Sequence, residues 1–192
     1  MNKKMFDVNY EGIPDELLER DQWVCWKYED GSSDSKSAKS FFDAKTRGSG
    51  YDGIGFMLSV DDPFVAIELN DVINPEGVIE PWALNIIDLM DSYTEINPEG
   101  TGILIIIKGK KPAGAGCIGG PDGKLGVYDC ERMIPVTGER LIDTPRTIER
   151  RQAQVDELCK QLSGSEPPIG PPASGFKRLV DSKGKLQGFL EE

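Results

Sequence analysis

The chain contains no histidine at all, and its four cysteines, Cys25, Cys117, Cys130 and Cys159, are scattered without a C-x-x-C pair. These absences argue against a zinc centre, which needs clustered thiolates or imidazoles. Long apolar runs are missing too. The longest, residues 103–107, is far too short to span a bilayer. The first residues, MNKKMFD, lack the apolar core of a signal peptide, so no membrane role is expected and the cytoplasm is the expected compartment. Positive charge is scarce: 22 Lys and Arg stand against 33 Asp and Glu, a net charge of −11. That balance works against tight nonspecific nucleic-acid binding, because phosphate contacts need Lys and Arg. A local basic groove, or an acidic surface that meets a basic partner, is still compatible with it.

What is present is the composition of an ordinary soluble globular protein, with 38% hydrophobic and 29% charged residues. At 192 residues the chain is long enough for one domain with a sizeable core. The organisation expected is a domain over residues 1–163, then a Pro/Gly/Ser-rich linker and short tail over 164–192.

Residues 12–20 predict a short helix with Pro14 in its first turn, and residues 22–28, rich in aromatic and β-branched residues, a strand. Trp23 and Trp26 fall on opposite faces of that strand and read as core. Residues 30–50 predict a charged surface loop, with Lys36, Lys39, Lys45 and Arg47 as the basic patch of the first half. Strands are expected at 53–58, 64–69, 93–96, 103–107, 125–129 and 133–136. A helix is expected over 80–91, its stripe made of Ala83, Ile86, Ile87 and Met90, and another over 147–162 capped by Thr144 or Thr147. The glycine-rich stretch 113–123 has neither a GK[ST] ending nor a helix after it, so it predicts a hairpin connection rather than a phosphate-binding loop.

One stretch carries chemistry. In residues 63–71 (PFVAIELND), Glu68 and Asn70 stand two apart on a strand, so both point to the same face, as a pair of metal ligands would.

Seven fragments in order, WVCW (23–26), YDGIGF (51–56), DDPFVAIELN (61–70), SYTEINPEGTG (92–102), VYD (127–129), VTG (136–138) and TPRTIE (144–149), together resemble the phage and mobile-element primase-polymerase domain of the archaeo-eukaryotic primase superfamily. The resemblance implies an α+β domain, a two-layer arrangement with an RRM-like palm whose mixed or antiparallel sheet is flanked by helices. In active members, it further implies a D-x-D pair and a third acid that hold two divalent metals, magnesium or manganese, to activate the primer 3′ oxygen and neutralise the triphosphate. A histidine closing a G-x-G-x-H turn binds the nucleotide phosphates.

Carried onto this chain, all four positions are altered. The two strand acids become Glu68 and Asn70, the histidine becomes Leu104, and the third acid falls on Gly126. Glu68 retains a carboxylate one methylene further out, Asn70 offers only a neutral carbonyl, and Leu104 and Gly126 offer nothing. A rebuilt metal site would have to draw on Glu68, Asp71 and Asp129, although alternation points the last two away from Glu68. Arg132, the arginine before VTG, remains as a phosphate-binding residue or as a surface ion pair with Glu131 or Glu139. The expectation is therefore a catalytically degenerate protein with no cofactor, acting by binding. Its partner is either a host or defence protein that normally grips nucleic acid, met as an inhibitor or mimic, or DNA or nucleotide in a replication role. An active DNA primase or polymerase with a rearranged magnesium or manganese site is the alternative.

Overall fold

The computed structural model describes residues 7–29, 32–37, 40–47, 50–113 and 118–162. The linker and tail expected over 164–192 lie outside the described residues, as do Lys39, Cys117 and the side chains of Lys36 and Arg47. Among the described residues the strands are β1 (Trp23–Glu29), β2 (Ser32–Ser37), β3 (Gly53–Leu58), β4 (Phe64–Leu69), β5 (Thr94–Ile96), β6 (Ile103–Lys108), β7 (Ile118–Gly119), β8 (Leu125–Tyr128) and β9 (Arg132–Val136). The α-helices are α1 (Asp15–Leu18), α2 (Phe41–Arg47), α3 (Pro81–Met90) and α4 (Gln152–Leu162). The strands form two sheets, ordered β2-β1-β3-β9 and β5-β6-β4-β8-β7, with every ladder antiparallel. The chain thus adopts the expected α+β class.

The five-stranded sheet is covered on both faces, which is why β4 and β6 read as nearly continuous apolar runs. Val65, Ile67 and Leu69 of β4 and Ile103, Ile105 and Ile107 of β6 pack against the expected stripe of α3, Ala83, Ile86, Ile87 and Met90, and against Val155, Leu158 and Cys159 of α4. Phe64 and Ala66 of β4 and Leu104 and Ile106 of β6 point the other way, into a second core built with Trp23, Ile54, Phe56, Ile134 and Val136 of the four-stranded sheet. Burying a Val, Leu, Ile or Phe side chain is worth about 1.5–3 kcal/mol, so the first core fixes the helices on the five-stranded sheet and the second holds the two sheets face to face. Trp26 lies on the outer face of β1, its ring against Gly53 and its indole N–H donating to the Ile54 carbonyl at 3.0 Å.

Four expectations are corrected. The loop expected over 30–50 contains β2, whose backbone pairs with β1 from Glu29↔Ser32 to Val24↔Ser37, and also α2. Pairing with a ready-formed neighbour overrides the poor strand propensity of SSDSKS. Lys45, the one member of the basic patch with a described side chain, stacks 4.6 Å from the Tyr10 ring. The first helix is a single turn, α1, preceded by a 3₁₀ turn at Tyr10–Gly12. The last helix starts at Gln152 and not Thr147, because Arg150 makes a parallel bridge with Lys108. Thr144 and Thr147 therefore cap nothing: their hydroxyls donate to the Leu141 carbonyl and the Glu149 carboxylate.

The chain passes from one sheet to the other immediately after β9. Residues 137–141 run beside β5, with the Ile96 N–H donating to the Glu139 carbonyl and the Leu141 N–H to that of Thr94. At the crossing the fully buried Glu95 carboxylate accepts the Thr137 and Gly138 N–H groups, each at 2.9 Å, and the Tyr93 hydroxyl at 2.5 Å. Gly138 has φ of 70° and lies so close to the N-terminal segment that a Cβ there would sit 1.9 Å from the Asn9 carbonyl oxygen, so only glycine fits.

Burial pushes the Glu95 carboxyl up from 4.5 to about 7, against the pull of its three donors. The folded chain therefore binds that proton more tightly than the unfolded chain. The resulting stabilisation is complete below about 4.5 and is lost as pH rises through about 7, on the order of 3 kcal/mol in all. Thermal melting against pH is expected to decline over that interval in the wild-type chain, and the decline should flatten in Glu95→Gln. Parallel profiles for the two proteins would mean that this carboxyl titrates as it does in water.

Candidate functional site

The register of the five-stranded sheet lines up three of the four positions singled out from the sequence, Glu68, Leu104 and Gly126. Glu68 on β4 pairs directly with Leu104 on β6 and with Gly126 on β8, and Leu104 pairs in turn with Glu95 on β5. Directly opposed residues share a face, so Gly126, Glu68, Leu104 and Glu95 form one row across four strands, facing the four-stranded sheet. Asn70 follows the end of β4, where its N–H donates to the Lys124 carbonyl at 2.7 Å. Glu68, Asn70 and Leu104 line one open cleft of about 140 Å³ between the sheets. The turn at Asn97, Pro98 and Glu99 forms one wall, and Arg132 and Pro135 of β9 form the other. That turn is rigid because the Asn97 side-chain oxygen accepts the N–H groups of Thr101 at 3.1 Å and Gly102 at 3.0 Å.

Glu68 and Arg132 meet across the cleft. The guanidinium donates to the Glu68 carboxylate at 2.8 Å and lies 4.5 Å from the centroid of the Tyr128 ring. Arg132 thus pairs with Glu68, and not with Glu131 or Glu139 as its neighbours in sequence suggest. Burial disfavours its charge, but the hydrogen bond and the negative charge of Glu68 outweigh that cost and raise its pKa.

There is no gap at Gly126. A Cβ built there would fall 2.6 Å from the edge of the Tyr128 ring, so the tyrosine fills the space a side chain at 126 would enter. Tyr128 was legible as a neighbour of this position, because residues two apart on a strand share a face.

The acids of a rebuilt metal site do not converge. Asp71 is exposed, in the left-handed region with φ of 50°, and its carbonyl accepts from Lys124 at 3.0 Å. Asp129 accepts the Lys111 N–H at 3.1 Å. Neither lines the cleft with Glu68. The chain has left strand geometry at Asp71, and Asp129 lies an odd number of residues from Gly126, so alternation turns it away. Among the described residues, no three His, Cys, Asp or Glu side chains come together where they could hold a metal ion. A divalent ion therefore does not fit this cleft as it stands, since only Glu68 and Glu99 bring carboxylates to it and Glu68 is engaged with a cation.

The antiparallel five-stranded sheet, covered by helices on one face, thus presents this row to a cleft beneath the second sheet. Comparison with known proteins bears out the resemblance: over 137 residues, 62% of the chain, it is 33% identical to the DNA primase-polymerase of Nitratiruptor phage NrS-1. The chain spans 19% of that relative's length. No family model matches the chain. No helix among the described residues is long and apolar enough to cross a membrane.

Because Arg132 is 45% exposed, its bond to Glu68 contributes modestly to stability. A double-mutant cycle of Glu68→Ala and Arg132→Ala in urea unfolding is expected to give a coupling of about 0.5–1 kcal/mol that shrinks in 1 M salt. A coupling of zero at low salt would leave the pair without energetic weight.

Proposed function

We propose that the chain is a catalytically degenerate primase-polymerase-like protein that works by binding and not by nucleotidyl transfer. The observation that carries this is the Glu68–Arg132 ion pair: the one carboxylate left among the altered positions is spent on a guanidinium at 2.8 Å. Two-metal phosphoryl transfer needs acids that bridge both ions and face the substrate phosphates. Asn70, Leu104 and Gly126 supply none, and Arg132 opposes a divalent cation at the fourth position. No magnesium or manganese is required for this role.

The partner favoured is a protein whose basic surface normally grips nucleic acid, such as a host or defence factor, met by this chain as an acidic inhibitor or mimic. The net charge of −11 supports it, since two surfaces of opposite sign attract and steer one another together. A second role, binding DNA or nucleotide without chemistry, is supported by the 33% identity to a DNA primase-polymerase.

Primer extension on a primed single-stranded template, with magnesium and with manganese, is expected to give no incorporation. Template-dependent synthesis abolished by Glu68→Ala would restore the alternative, an active polymerase with a rearranged site. Gel shifts with single-stranded and duplex DNA then separate the two binding roles, because tight, salt-sensitive retention of DNA counts against the inhibitor.

A further inference from the structure

We infer that Glu68 acts as an internal anion that competes for Arg132, so that the cleft holds an external phosphate group more weakly while the ion pair between them is closed. This role presupposes the non-catalytic function proposed for the chain and adds a regulator to the same site. Arg132 has the attributes of an oxyanion binder. Its guanidinium lies over the Tyr128 ring, 4.5 Å from the centroid, and it stands at the wall of an open cleft, 45% exposed. A planar guanidinium presents its donors in a fork that matches phosphate oxygens.

One of those donors is used, at 2.8 Å on the Glu68 carboxylate, and the other guanidinium N–H groups have no acceptor among the described residues. Glu68 is the more enclosed partner at 13% exposed, so the carboxylate is the fixed element and Arg132 the movable one. Length matters here. The two side chains come from different sheets, and an aspartate at 68 would end short of Arg132 by about one carbon–carbon bond, roughly 1.5 Å. The longer glutamate makes the contact across the cleft. A phosphate entering the cleft therefore competes with a tethered carboxylate for the same guanidinium and is repelled by its charge.

Calorimetric titration with inorganic pyrophosphate at low salt and without metal tests this. Glu68→Gln, which keeps the shape and removes the charge, is expected to tighten pyrophosphate binding about fivefold over the wild-type chain, with Glu68→Asp in between. The gain should vanish in Glu68→Gln/Arg132→Ala, with melting temperatures checked to show that each variant is folded. Equal affinity in the wild-type chain and Glu68→Gln would overturn the inference, as would a gain that survives loss of Arg132. Primer extension by the wild-type chain reads the proposed function separately: incorporation there would sink the non-catalytic role whatever pyrophosphate does.

Discussion

The cleft exists because a buried carboxylate holds two sheets together at the one place where the chain steps from β9 to the side of β5. The two methylenes of Glu95 do not offset the burial of its carboxyl group; what does is three donors, the Thr137 and Gly138 N–H groups and the Tyr93 hydroxyl. Leaving those groups unpaired in an apolar core would cost more than the bonds themselves contribute. The turn at Thr137 and Gly138 is therefore obliged to lie against β5, and β9 with it. Since Arg132 and Pro135 belong to β9, the position of the cleft wall follows from Glu95, one row position beyond Leu104 on the same face.

The side chains of that row are engaged with their neighbours rather than gathered as a set of ligands. A metal centre tolerates one weakened ligand when the others remain. Here Glu68 reaches Arg132, Leu104 joins the core between the sheets, and the Tyr128 ring covers Gly126. Each of these three positions thus meets a local partner. The described residues have no buried side-chain polar atom without a hydrogen-bond partner.

How much of this the sequence disclosed depended on the range of the signal. Apolar runs and stripes are local, and β3, β4, β6 and the buried face of α3 were legible from them. The ligand spacing at Glu68 and Asn70 was legible too, because alternation along a strand is a property of the backbone. Partners across sheets were not. Nothing near Arg132 in the sequence marks Glu68, 64 positions away, as its counterion, and nothing near Glu95 marks Thr137 and Gly138 as its donors. The missed strand β2 is intermediate: its residues are poor strand formers, yet the Asp30-Gly31 pair before it is a strong hairpin signal that outweighs composition.

Pro135 lies in β9, an edge strand of the four-stranded sheet, and forms part of the cleft wall. A proline has no N–H to offer, so this rim cannot present the unbroken row of main-chain donors on which a foreign strand could zip. The molecule is thereby protected from growing its sheet into the cleft, by self-association or by capture of an extended peptide. Along this rim, recognition therefore falls to side chains such as Arg132.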